Sequence, residues 1–160
     1  MREAINLNVY QLLDVCRARQ IRLRTAESCT AGAIAALIAS VPGASDVLDR
    51  GWVVYSNQAK QEELGVDERL IQTYGAVSQQ VVEAMALGGA TEQAACVAVS
   101  GIAGPSGGSP DKPVGTVWIA VARGKAISNC RCCHFVGDRP QVQLATVLAA
   151  VEMLLESVSS

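Results

Sequence analysis

The chain has 160 residues, 50% of them hydrophobic and 18% charged, with a formal net charge of −2. That length allows one domain with a sizeable core, and the apolar content excludes a disordered segment. The weak acidic balance carries no electrostatic footprint for nucleic acid. The stretch "MREAINLNVYQLLDVCRARQ" has no apolar leader, and the run "AGAIAALIASV" is too short to cross a bilayer. A cytoplasmic location without a membrane partner is therefore expected. Cys16, Cys29, Cys96, Cys130, Cys132 and Cys133 are scattered through apolar segments and read as reduced, mostly buried thiols.

Residues 3–19 carry Ile5, Leu7, Val9, Leu12, Leu13, Val15 and Cys16. Leu12, Val15 and Cys16 fit helical spacing, and Glu3 and Arg17 suit the two ends of the dipole. Residues 21–26 read as a short strand, and the alanine-rich residues 30–40 as a helix stopped by Val41, Pro42 and Gly43. "GWVVYS", residues 51–56, reads as a strand, and "NQAKQEEL" as a helix capped by Ser56 or Asn57 and ended by Gly65. Asp67 to Gly75 forms a further short helix. Ser78 opens another, with Val81, Val82, Met85 and Ala86 on one face.

"AACVAVSGIAG" is a buried strand running into glycines. "VGTVWIAVA" and "AISNCRCCHFV" are two strands joined as a hairpin at Arg123, Gly124 and Lys125. Asp138 caps a last helix whose apolar positions include Val142, Leu144, Ala145, Leu148, Val151 and Leu155. Alternating strands and helices followed by a hairpin predict a three-layer α/β/α sandwich with a mixed sheet, as one domain over residues 1–160.

Several constellations could carry chemistry. In "TAESCTAG", Ser28 follows a strand and precedes a helix, where unpaired N–H groups can hold an oxyanion or a phosphate. The same position suits Ser28 or Thr30 as an ordinary N-cap, so both readings stand. In "YSNQAK", Lys60 lies in the first turn of a helix, facing the positive end of the dipole. That placement, and any burial, lowers its pKa and fits a general base, with Tyr55 passing protons or orienting it. A solvated lysine and a packed tyrosine are the alternative.

The loop "GIAGPSGGSPDKPVG" has glycines 101, 104, 107, 108 and 115 for close backbone approach, with Ser100 at the strand end. It lacks the Gly-Lys-Ser/Thr of a P-loop and the spacing of a dinucleotide fingerprint. In "GDRPQ", Arg139 opens a helix, where an anion could meet N–H groups and a guanidinium, or where the arginine is simply solvated. "CRCCH" puts Cys130, Cys132 and His134 on one strand face and Cys133 on the other, yet it lacks the spacing of a common zinc site. Buried strand cysteines are the better reading. A triad through His134, the sole histidine, is disfavoured. Arg17, Arg19, Arg22 and Arg24 in "RARQIRLR" lack the interleaved aromatics of a nucleic-acid surface and read as a solvated helix end and strand.

"TAESCTAG", "GWVVYSNQAKQEELGV", "YGAVSQQVVEAMA", "SGIAGPSGGSPDKPVGTVWIA" and "FVGDR" occur in the order seen in the CinA C-terminal domain family. The chain resembles that family over residues 5–157. Stand-alone members are nicotinamide-nucleotide amidases. The resemblance implies an α/β/α fold and hydrolysis of the carboxamide of nicotinamide mononucleotide, without a metal or cofactor. Carried over by motif, Ser28 is the nucleophile, Lys60 the base and Tyr55 the assistant. Thr30, Ala31, Gly32, Ser100, Gly101, Gly104 and Arg139 become candidates for the oxyanion or the substrate, with the N–H groups of Thr30 and Ala31 facing the oxyanion.

The expected partner is a small-molecule nucleotide, and self-association is left open. A non-catalytic pyridine-nucleotide-binding module and a serine amidase with another substrate are the competing functions. The chain departs from the family's "TGG" at Ala31, whose methyl would narrow the approach to the turn if φ there were positive. It also has Ser106 where an acid or glycine is frequent.

Overall fold

The computed structural model describes the chain from Arg2, with side chains from Leu7, so the expectations for Glu3 and Ile5 side chains lie outside the described residues. In chain order the elements are α1 (Arg2–Arg19), β1 (Arg22–Glu27), α2 (Ala33–Ala39), β2 (Leu48–Val53), α3 (Asn57–Leu64), α4 (Glu68–Tyr74), α5 (Gln79–Gly89), β3 (Ala94–Gly101), β4 (Thr116–Arg123), β5 (Ala126–His134) and α6 (Arg139–Ser159). The five strands form one sheet in the order β2-β1-β3-β4-β5. β2, β1 and β3 run parallel, and the β4–β5 hairpin closes the other side antiparallel. The predicted mixed sheet between two helical layers is what forms.

β3 explains how the layers are sorted. Its Val97 and Val99 join the core under α1, α2 and α6, whereas Cys96 and Ala98 face α3, α4 and α5. Alternation along a strand sends large residues to one face and small ones to the other. The small face lets α5 approach closely. A Cβ on Gly89 would stand 2.5 Å from the Cys96 sulfur, so that contact requires glycine.

Helix boundaries follow local capping where a cap exists. Ser56, Asp67, Ser78 and Asp138 each accept from a backbone N–H of the helix they open. Gly65 ends α3 in the left-handed region, at φ 68°. α6 is 21 residues long and apolar enough to meet the length of a membrane span, though the sequence had pointed to residues 31–41 as the most apolar run. Here one side of it, Val142, Thr146, Val147, Ala150, Val151 and Leu154 among others, is buried in the domain core, and only Leu144 of the expected apolar positions is exposed.

Three expectations need correction. The second helix starts at Ala33, not at residue 30, because Ala31 and Gly32 take positive φ values of 49° and 96°. β2 spans Leu48–Val53 rather than 51–56, because it stops opposite the last residue of β1, in the pair Glu27–Val53. The hairpin cysteines are not buried: β5 is a sheet edge, Cys132 is exposed, and Cys130 and Cys133 are half-buried.

Of the arginines of "RARQIRLR", Arg17, Arg19 and Arg22 are exposed as expected, Arg24 is half-buried, and all four have surface partners. Arg17 meets Asp14 and Asp46, Arg19 bonds the carbonyls of Ser159 and Ser160, and Arg22 and Arg24 share Asp49 on β2.

Ala31 is exposed and lines no cleft, so its methyl does not narrow the approach to the turn although φ is positive. A non-glycine residue in the left-handed region costs about 1 kcal/mol. Ala31→Gly is therefore expected to raise the melting temperature by about 2–4 °C, with turnover unchanged. A calorimetric scan beside an activity assay checks both.

Candidate active site

The parallel ladder between β1 and β3 runs out at Ser28. Its N–H donates to Val99 O at 3.2 Å, the last rung. A regular ladder would continue with the Gly101 N–H donating to Ser28 O. Instead Ser28 O accepts the Ala31 N–H at 3.1 Å. On the far side of β3, Ile102 N–H donates to Thr116 O at 2.9 Å. Alternation then turns the Gly101 N–H toward β1, where no partner meets it among the described residues. A Cβ on Gly101 would stand 2.5 Å from a Val117 methyl, so only glycine fits.

β2 also stops here. Val54 N–H makes one more rung to Glu27 O at 2.8 Å, and the chain then turns into α3. Lys60 sits one turn into α3, and its side chain points back toward the helix start. Its Nζ donates to Val54 O at 3.0 Å and Tyr55 O at 3.1 Å, and lies 3.1 Å from Ser28 Oγ. Lys60 is 1% exposed, which rules out the solvated-lysine reading. Burial lowers its pKa below the ordinary lysine value, and the neighbouring Cys29 opposes this.

The hydrogen-bond inventory suits a neutral amine. Its two hydrogens match the carbonyls of Val54 and Tyr55, and its lone pair is free to accept the Ser28 hydroxyl proton. An ammonium fits as well, donating to all three oxygens, so the pair is arranged to pass a proton either way.

The helix-cap reading of Ser28 and Thr30 does not hold. The N-cap position of α2 is Gly32, which offers no side chain. The cap comes from the strand. Glu27, fully buried, accepts the Ile34 and Ala35 N–H groups at 2.9 and 3.0 Å and the Thr30 hydroxyl at 2.6 Å. These N–H groups are therefore not open to an anion, and the Ala31 N–H is taken by Ser28 O. Of the two N–H groups expected to face the oxyanion, that of Ala31 is taken and that of Thr30 has no partner among the described residues.

The surrounding cleft, of about 200 Å³, is lined by Ser28, Tyr55, Lys60, Ser100, Gly101 and Arg139 of the residues singled out in the sequence. Cys29, Asn57, Ala76, Val77 and Ala103 complete the lining without having been foreseen. Thr30, Ala31, Gly32 and Gly104 lie outside it. Glycines 107, 108 and 115 do not line it either. Gly115 serves packing, since a Cβ there would overlap the Phe135 carbonyl.

Tyr55 meets Lys60 through its backbone carbonyl, while its hydroxyl, on a side chain 56% exposed, accepts from Arg139 Nη2 at 2.8 Å. Arg139 Nη1 donates to Gly104 O at 2.9 Å. The N-terminus of α6 is occupied by the Asp138 carboxylate, so an anion there would meet the guanidinium rather than free N–H groups. Cys29, beside Ser28, is an inert neighbour: burial pushes its thiol up to about 11. His134 lies at the end of β5 near Thr116 and Cys132, outside the cleft. No group of three metal-ligating side chains gathers among the described residues.

The family model of the CinA C-terminal domain matches residues 7–158. The chain belongs to the CinA C-terminal domain family. Within that family it is 51% identical over 137 residues to the nicotinamide-nucleotide amidohydrolase PncC of Pseudomonas putida, covering 84% of this chain and 85% of the relative. It is 44% identical over 148 residues to the PncC of Escherichia coli K12, covering 90% and 88%. The crystal structure of the competence/damage inducible protein CihA from Agrobacterium tumefaciens superposes with a TM-score of 0.90 at 38% identity, over 98% of this chain and 96% of that one. The fold described above is thus shared with that solved structure.

Proposed function

We propose that this CinA-family domain hydrolyses the carboxamide of nicotinamide mononucleotide to nicotinate mononucleotide and ammonia, a reaction of pyridine-nucleotide salvage. The observation that carries the reading is the 3.1 Å approach of Ser28 Oγ to a buried Lys60 Nζ inside a cleft. The amidohydrolase names of the Pseudomonas putida and Escherichia coli relatives support it.

Neutral Lys60 takes the Ser28 proton as Oγ attacks the carboxamide carbon. The tetrahedral oxyanion is assigned to the Gly101 N–H, which has no partner among the described residues and belongs to the cleft lining. Lys60 returns the proton to the departing nitrogen, and ammonia leaves. Water then attacks the acyl ester, giving up a proton to Lys60, which passes it to Ser28 Oγ as the ester bond breaks and nicotinate mononucleotide is released. Each proton taken from Ser28 or water has Lys60 as its acceptor, so one amine serves both halves of the reaction.

The phosphate end is assigned to Arg139. Two of its five N–H donors are used on Tyr55 and Gly104, which orient the guanidinium and leave the rest for a ligand. Tyr55 has a double part: its carbonyl holds Lys60 and its hydroxyl holds Arg139.

Ammonia release from nicotinamide mononucleotide, compared with the dephosphorylated riboside, tests the reading. Wild type is expected to turn over the mononucleotide much faster. Arg139→Met is expected to raise KM for the mononucleotide by roughly tenfold or more, since a hydrogen bond to a charged group contributes about 1.5–3 kcal/mol. Its turnover of the riboside should not change. No ammonia from wild type would refute the proposed substrate, and equal use of both compounds would refute the phosphate assignment.

A further inference from the structure

We infer that Glu27 is a positioning residue, holding Ser28 and Lys60 in register without touching substrate. This rests on the Ser28–Lys60 reading above. A buried carboxylate is costly unless its oxygens are met by donors. Glu27 is fully buried, and donors alone reach it: the Thr30 hydroxyl and the Ile34 and Ala35 N–H groups. The residue just before the nucleophile therefore clasps the residue two positions after it and the helix beyond.

No other side chain among the described residues caps α2, and the two left-handed residues Ala31 and Gly32 lie inside this clasp. The shape of the turn that presents Ser28 is thus set by Glu27. Its backbone reaches the other member of the pair. Glu27 O accepts the Val54 N–H at 2.8 Å, and Val54 O accepts from Lys60 Nζ at 3.0 Å. One residue joins both halves: its side chain shapes the turn carrying Ser28, and its carbonyl anchors the segment that receives Lys60. Thr30, a candidate for the oxyanion from its position in the motif, gives its hydroxyl to this clasp.

Glu27→Gln keeps the volume but turns one acceptor into an NH2 group facing a donor. The turn must shift to relieve that contact. Displacement of a reacting group by about 1 Å costs on the order of a hundredfold in rate. The expected result is a fall in kcat for nicotinamide mononucleotide of roughly tenfold to a hundredfold, with KM nearly unchanged. In a crystal structure of the variant, Ser28 Oγ and Lys60 Nζ should part beyond about 3.5 Å, the limit of a hydrogen bond.

Thr146→Val is the control. Thr146 is buried in α6, bonds Val142 O, and does not line the cleft. It should lower the melting temperature and leave kcat alone. A Glu27→Gln structure that keeps the 3.1 Å approach overturns the inference, as does a kcat loss matched by Thr146→Val at equal thermal stability. If wild type releases no ammonia, the proposed substrate fails, and the Ser28–Lys60 separation in Glu27→Gln still decides the role of Glu27. If Glu27→Gln does not fold, Thr30→Val removes a single donor from the clasp. A smaller opening of the same pair is then expected, and an unmoved pair overturns the inference.

Discussion

Ser28→Ala is expected to fold normally and to lose ammonia release from nicotinamide mononucleotide by at least roughly a thousandfold, as when the nucleophile of a covalent mechanism is removed. The structural cost is small because, among the described residues, the one side-chain partner of Oγ is Lys60 Nζ, which keeps the carbonyls of Val54 and Tyr55. One hydrogen bond contributes about 1 kcal/mol, so the melting curve should move by only a few degrees. Rescue by the adjacent thiol is not expected, since burial holds Cys29 protonated, with a pKa of about 11. Mass spectrometry of protein quenched during turnover should show an acyl adduct on wild type and none on the variant. Undiminished ammonia release from Ser28→Ala would place the nucleophile elsewhere.

Lys60→Met should lower kcat by roughly a hundredfold to ten-thousandfold, the usual range for a lost general base. Its diagnostic is pH. In wild type the active form is the neutral amine, so kcat/KM should rise as pH climbs through the lowered lysine pKa and then level off. That rise should vanish in the variant.

Stability carries the same sign. Below the folded-state pKa both folded and unfolded chains hold the proton, and the cost of burying the charge is fully present. Between the folded value and the ordinary lysine value, the unfolded chain binds more protons than the folded one, so stability rises with pH. Above the ordinary value there is no further gain from this group. Denaturant melts at stepped alkaline pH should therefore show wild type gaining on Lys60→Met. Parallel curves would mean that Lys60 is not perturbed by its burial.

What could be read in the sequence was what local chemistry encodes. Ser56, Asp67, Ser78 and Asp138 cap helices that begin right after them, so their signal lies within a few residues. The α2 boundary was misread because its cap is Glu27, a strand residue seven and eight positions before the N–H groups it accepts. No helix-capping pattern covers that reach. The pairing of Ser28 with Lys60, 32 residues apart, was foreseen only through the motif order, because the β1–β2 register creates it.

For the lysine at a helix start, the sequence reading named both the dipole and burial, and burial is the leading contribution to its lowered pKa. Tyr55 was the harder case. The sequence suggested that it passes protons or orients Lys60; its carbonyl does contact Lys60, while its hydroxyl turns to Arg139, 84 residues along the chain. Cys29, Asn57, Ala76, Val77 and Ala103 carry no chemical signature that would place them in a cleft lining.

The parting of β1 and β3 at Ser28 has a wider consequence. A sheet tends to zip onward as long as donors and acceptors stay in step, and here it is one rung from doing so. The Ala31 N–H occupies Ser28 O and keeps the Gly101 N–H idle. The left-handed turn thus works as a zipper stop. A change that relaxed this turn would free Ser28 O for the Gly101 N–H, adding a rung to the sheet and removing an open donor from the cleft lining. Selection on such a fold has to guard a gap in its bonding as closely as it guards the core.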